Sequence, residues 1–162
     1  NIMATLNVTI TEELTLNGSD RGSINTLSVA SVEQSFSRIV TLPANGGSGT
    51  TDTTIANFRT AVTGADSALD DDDVKYIRVT NLDSSNNITL SLQLAADGDS
   101  AASTTASVLI PAGNSFILGK AIGVAAVDDD AAAKVTSLVD LESLIAVNGN
   151  NATVSVEIFI AS

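Results

Sequence analysis

The sequence predicts a mainly β chain, an antiparallel sandwich of roughly eight to ten strands with one short helix. Three observations predict it. Ile88, Leu90, Leu92 and Leu94 alternate with Thr89, Ser91 and Gln93, the two-residue period of a strand with one buried face. The same period returns near both ends, in Ala4, Leu6, Val8 and Ile10 and in Val154, Val156, Ile158 and Ile160. Turn-forming clusters separate these runs, and no strand–helix alternation repeats, which disfavours a parallel α/β sheet.

In chain order, residues 4–10 form the first strand, and Leu14 and Leu16 resume its phase. Residues 17–22, NGSDRG, are a turn cluster whose glycines suit positive φ. Leu27 and Val29 then fall in odd phase, whereas Val32, Phe36, Val40 and Leu42 fall in even phase. That flip near Ala30-Ser31 predicts a bulge or a strand break, because a one-residue slip would otherwise turn the apolar side to water. Pro43 ends the run, and residues 44–52 read as a glycine-rich loop without the Lys-Ser/Thr ending of a phosphate cradle. Ile55, Phe58, Ala61 and Val62 make an apolar stripe at helical spacing, which predicts a short helix over 53–62.

The segment VKYIRVTNLDSSNNITLSLQL places Ile77 and Val79 on one side and Tyr76, Arg78 and Thr80 on the other. It reads as a hairpin closed by the five residues 83–87. Residues 95–106 read as a long flexible loop. A second hairpin is expected about residues 111–114, with Pro111 second and Gly113 third in a type II turn. Residues 119–135 read as another long loop. Val139, Leu141, Ile145 and Val147 share a phase, so with the strand at 154–160 they predict a third hairpin. The whole of 1–162 is expected to be one domain.

Composition narrows function. With no cysteine and no histidine, thiolate chemistry and the usual zinc, haem and iron–sulfur ligands are missing. Nineteen acidic against seven basic residues leave a net charge of −12, which repels nucleic acid. Aromatic residues are only 3% of the chain, too few for stacking platforms. No apolar run approaches the roughly 20 residues of a membrane span, so no membrane partner is expected.

Candidate chemistry is sparse. Asp70, Asp71, Asp72 and Asp73, and again Asp128, Asp129 and Asp130, offer hard oxygens for calcium. They lack the alternating Asp-x-Asp-x-Asp-Gly spacing, and neighbouring carboxylates on an extended segment point apart, so solvated loops are expected. Glu33, Glu142 and Glu157 sit in strands and could pair as acid and base, but one outward glutamate per strand is what any solvated sheet displays. No cofactor and no catalysis are expected. Contact with copies of itself is, and Ala4, Leu6, Val8 and Ile10, with Asn17 and Arg21 in the following loop, are the candidates, since a terminal strand is free to reach a neighbour.

The motifs YIRVTNLDSSNNITLSL, VLIPAGNSFIL and LESLIAVNGNNATVSVEIFIAS resemble small virion structural proteins of tailed phages, including marine and cyanobacterial ones. The resemblance covers about half the chain. It implies a β-sandwich or jelly-roll-like subunit outside a particle. The expected role is a capsid decoration (cement) protein, a homo-oligomer with a trimer favoured, seated on the major capsid protein. The alternative is a tail, fibre or secreted adhesin module whose acidic loops bind calcium and a cell-surface ligand.

Overall fold

The apolar alternations form strands, but their partners are not those of the expected hairpins. The computed structural model describes residues 3–59, 69–96, 99–127, 135 and 137–162. An amino-terminal ribbon is built from β1 (Ala4–Glu12), β2 (Thr15–Leu16), β3 (Ser19–Asp20) and β4 (Ser23–Val32). The body comprises β5 (Ser35–Leu42), β6 (Thr51–Arg59), β7 (Leu69–Asp70), β8 (Tyr76–Asn81) and β9 (Ile88–Ala96). It continues with β10 (Asp99–Ile110), β11 (Ser115–Leu118), β12 (Leu141–Asn148) and β13 (Val154–Ala161).

One body sheet has the order β11-β8-β13-β5 and the other β10-β9-β12-β6, with β7 added in parallel at its edge. Reading the two orders together pairs β11 with β10, β8 with β9, β13 with β12 and β5 with β6. Each pair is consecutive in sequence yet divided between sheets. The three expected hairpins are therefore arches that cross from one sheet to the other, and a fourth arch joins β5 to β6. Two antiparallel sheets with this connectivity have the strand order of a jelly roll.

The arches exist because both strands of each pair are apolar on one side only. A hairpin within one sheet would leave no second layer to cover Ile77, Val79, Ile88 and Leu90, whereas an arch folds the two faces onto each other. All four of these residues are buried at 0–1% exposure, as are Val154, Val156, Ile158 and Ile160. Phe58 is the one aromatic among the largest fully buried side chains, the rest being leucine and isoleucine.

Turning the backbone at the sandwich end buries peptide groups that no ladder can satisfy. Asparagine amides take that role. Asn148, fully buried, donates from Nδ2 to the carbonyls of Pro43 and Ala152 at 2.8 and 2.9 Å, and its Oδ1 accepts from the backbone and side-chain nitrogens of Asn150. Asn81, also fully buried, donates to the carbonyls of Asn86 and Ile110. Asn150 reaches the carbonyl of Asn87, Asn87 accepts from the Ala112 amide, and Asn45 donates to Gly149. The four arches are thereby stitched side by side. Asp83 closes its own arch by accepting from the Asn86 and Ser85 amides, which hold its carboxyl below the usual range.

Four expectations change. Residues 53–59 of the expected helix belong to a strand, and 60–62 lie outside the described residues. The register slips between Leu144↔Ala56 and Ile145↔Thr54, so β6 carries an extra residue there and both Ile55 and Ala56 are buried. This bulge stretches the spacing from Ile55 to Phe58 to three, mimicking a helical stripe. Of the expected loop 95–106, residues 95–96 end β9 and 99–106 extend β10, while 97–98 lie outside the described residues. In β12, Glu142 is the extra residue between Leu141↔Leu94 and Ser143↔Gln93. Leu141 and Leu144 therefore face the core, and Ile145 and Val147 turn outward. Finally, Asn114 N bonds to the Pro111 carbonyl, so Pro111 is first, not second, in its turn, and Gly113 is third with φ 71°.

The expected phase flip is present as a bulge. Leu6 pairs with Val29 and Ala4 with Val32, two residues against three, with Ser31 at φ 58°. At the ribbon tip Asn17 and Gly18 both take positive φ, as a two-residue type I′ turn requires. Gly22 is needed for space instead: any Cβ there would collide with the Glu12 carbonyl oxygen.

Asn148→Ala removes the donor from two carbonyls at the arch end. It is expected to lower stability by about 2–3 kcal/mol, read as a reduced urea midpoint. An unchanged midpoint would show that the amide does not hold the arches.

Candidate functional site

The ribbon lies across the outward face of the β11-β8-β13-β5 sheet, and its two sides differ. Cross-strand partners share a side, so Leu6 with Val29 and Val8 with Leu27 make an apolar side that Ile10 continues, before Asn25, Ser23 and Glu12 join in side-chain hydrogen bonds. Asn7 with Ser28 and Thr9 with Thr26 make a hydroxyl and amide side, joined by side-chain hydrogen bonds of 2.9 and 3.3 Å. Leu6, Val8 and Val29 pack on a small cluster of Val32, Tyr76, Ala161 and Phe159. Tyr76 and Phe159 meet edge to face with ring centres 6.1 Å apart. Lys75 Nζ ties the ribbon base down through the carbonyl of Ser31, which the bulge leaves available.

Beyond this footing the ribbon is uncovered. Ile10, Leu14, Leu16, Ile24 and Leu27 are 48–72% exposed. A two-stranded ribbon without a third layer is marginal in water, so only its base is well supported. Among the described residues β1 pairs only with β4, and its other edge faces a groove of about 610 Å³. The floor is Tyr76, Arg78, Phe159 and Ile117. Arg78 Nη2 meets Glu157 Oε2 at 2.7 Å, each side chain 30% exposed, and Arg78 also donates to Thr80.

The structure divides the expected contact residues. Leu6 and Val8 are half-buried on their own body, whereas Ala4, Ile10, Asn17 and Arg21 are exposed. The groove floor was not anticipated, although a signal existed: Tyr76 and Phe159 are aromatic residues in the outward phase of their strands. An apolar side chain in the polar phase marks a face that something covers.

The three glutamates are not gathered. Glu157 is on the ribbon-covered sheet with Arg78, Glu142 is the bulge residue of β12 in the other sheet, and Glu33 lies in the turn between β4 and β5. The aspartates behave differently from expectation. The chain turns at 71–73 instead of running extended, and one carboxylate oxygen from each of Asp70, Asp71 and Asp72 lies within 4.8 Å of the others. Asp73 is not in this group, and Asp128, Asp129 and Asp130 lie outside the described residues. Burial and then the charge of Asp72 hold the Asp71 carboxyl above its usual value, with Asp70 adding a smaller push. No family model matches the chain, and neither a curated protein nor a solved structure does.

Because its folded pKa lies above the ordinary 3.8, an ionised Asp71 favours the unfolded chain. The proton-bound form adds stability below that value, which is lost as pH rises through the folded pKa. Asp71→Asn is expected to raise the urea midpoint at neutral pH, with the gain disappearing in acid. A midpoint lowered at pH 7 would contradict this.

Proposed function

We propose that the chain is a non-enzymatic virion subunit, a decoration protein that binds the outer surface of a tailed-phage head as a homo-oligomer. A trimer is favoured, and the major capsid protein is the partner. The observation that carries the reading is the ribbon: a jelly-roll body holds out a strand pair that leaves Ile10, Leu14, Leu16, Ile24 and Leu27 exposed past its own support. Such a surface is satisfied by contact with another subunit.

The coat of the body fits the same role. Outward positions of the other sheet mix hydroxyls and amides with Leu109, Ile145 and Val147, and Ser91 and Ser107 are bonded at 2.9 Å and Thr105 to Gln93 at 3.2 Å. A face of hydroxyl, amide and aliphatic groups packs against neighbours without the desolvation cost of charge. Repeated over a lattice, many weak contacts hold a shell through avidity, and no single site has to be tight. The net charge of −12 keeps free copies from adhering to nucleic acid.

A second reading, a tail or cell-surface adhesin, is favoured by the convergence of Asp70, Asp71 and Asp72, which supplies hard oxygens on one turn. Calcium separates the two. An adhesin of this type gains thermal stability on calcium addition, and Asp71→Asn abolishes the gain; a decoration subunit melts at the same temperature with calcium or with chelator.

Mass spectrometry and imaging of purified particles test the main reading. The expected result is a fixed copy ratio to the major capsid protein, with the chain on the outer shell. Confinement to tail fractions, or absence from particles, overturns it.

A further inference from the structure

The ribbon overhang and the groove are complementary to each other, yet one chain cannot join its own. Leu14 lies six residues beyond Val8, roughly 20 Å further along an extended strand. Val8 is already seated at the groove, so the tip of the same ribbon points away from it. We infer that the groove receives the ribbon tip of a second copy of this chain, with Leu14 and Leu16 placed over Ile117 and Phe159 beside the free edge of β1.

Three features select a second copy as the occupant. The tip presents Leu14 and Leu16, 54% and 55% exposed, and the groove presents Ile117, 38% exposed, on the edge strand β11. Charge does not oppose the contact. The tip carries Glu12, Glu13 and Asp20 against Arg21, a net −2, while the one charged residue lining the groove is the cation Arg78, whose partner is Glu157. In a molecule of −12, few surfaces can meet a second copy without strong repulsion, and this pair of surfaces can. Third, the β1 edge that is unpaired among the described residues offers main-chain groups that an incoming extended segment satisfies by strand addition.

The contact is head to tail, since the tip of one copy meets the groove of the next and not another tip. Heterologous contacts of this kind generate rings when the rotation closes. The inference rests on reading the chain as an assembly subunit, but it is tested on the purified chain without particles, so failure of one is distinguishable from failure of the other.

Sedimentation velocity at micromolar concentrations should show the chain larger than a monomer. Leu16→Asp and Ile117→Asp, both at exposed positions, should each weaken association about tenfold or more, with the far-ultraviolet circular dichroism unchanged. The chain has no cysteine, so cross-linking is unambiguous. Mixing the Leu16→Cys protein with the Ile117→Cys protein under oxidation should give a disulfide dimer of one copy of each. A monomeric chain, an oligomer that neither substitution disturbs, or cross-linking only between Leu16→Cys copies overturns the inference, even if the chain is found on phage heads.

Discussion

The structure depends on satisfying buried peptide groups where the chain crosses from one sheet to the other. Folding two aliphatic faces together requires sharp reversals at the sandwich end, and a reversal exposes carbonyls and amides to an interior that cannot solvate them. An asparagine side chain carries two donors and an acceptor on a short stem, enough to serve two or three backbone groups at once. Asn148 and Asn81 do so from positions with no exposed surface, and Asn45, Asn87 and Asn150 link each arch to the next. The core is the result of these ties as much as of its leucines and isoleucines.

Bulges perform the other necessary adjustment. Each places one extra residue in a strand, which reverses the side chains beyond it and frees a backbone group. At Ser31 the freed carbonyl receives Lys75 and anchors the ribbon. In β6 the carbonyl of Ile55 receives the Arg38 guanidinium from the facing sheet at 2.8 Å, beside the Phe36 ring. Irregularities in the strands thus coincide with the cations that join separate layers.

A body held together in this way leaves its chemistry on the outside and lean. Arg78 and Glu157 neutralise one another, and the aspartate turn repels itself. What the molecule offers a partner is shape, main-chain edges and the uncovered side of one ribbon.

Where a strand is unbroken by a bulge, alternation in the sequence determined which of its faces is buried, because a two-residue period survives whatever partner the strand finds. Ile88 to Leu94 and Val154 to Ile160 face the core as their spacing requires, and the phase change at Ser31 was legible for the same reason. Partnership was decided only in three dimensions. A turn of asparagine and glycine suits a hairpin and an arch equally, and the choice depends on covering a second apolar face supplied by distant segments. The bulges in β6 and β12 disguised a strand as a helix and moved Ile145 and Val147 outward, since the cause of each lies in the register of a neighbouring strand. The ribbon groove likewise joins residues more than 140 positions apart, Leu6 and Phe159, which no local pattern can bring together.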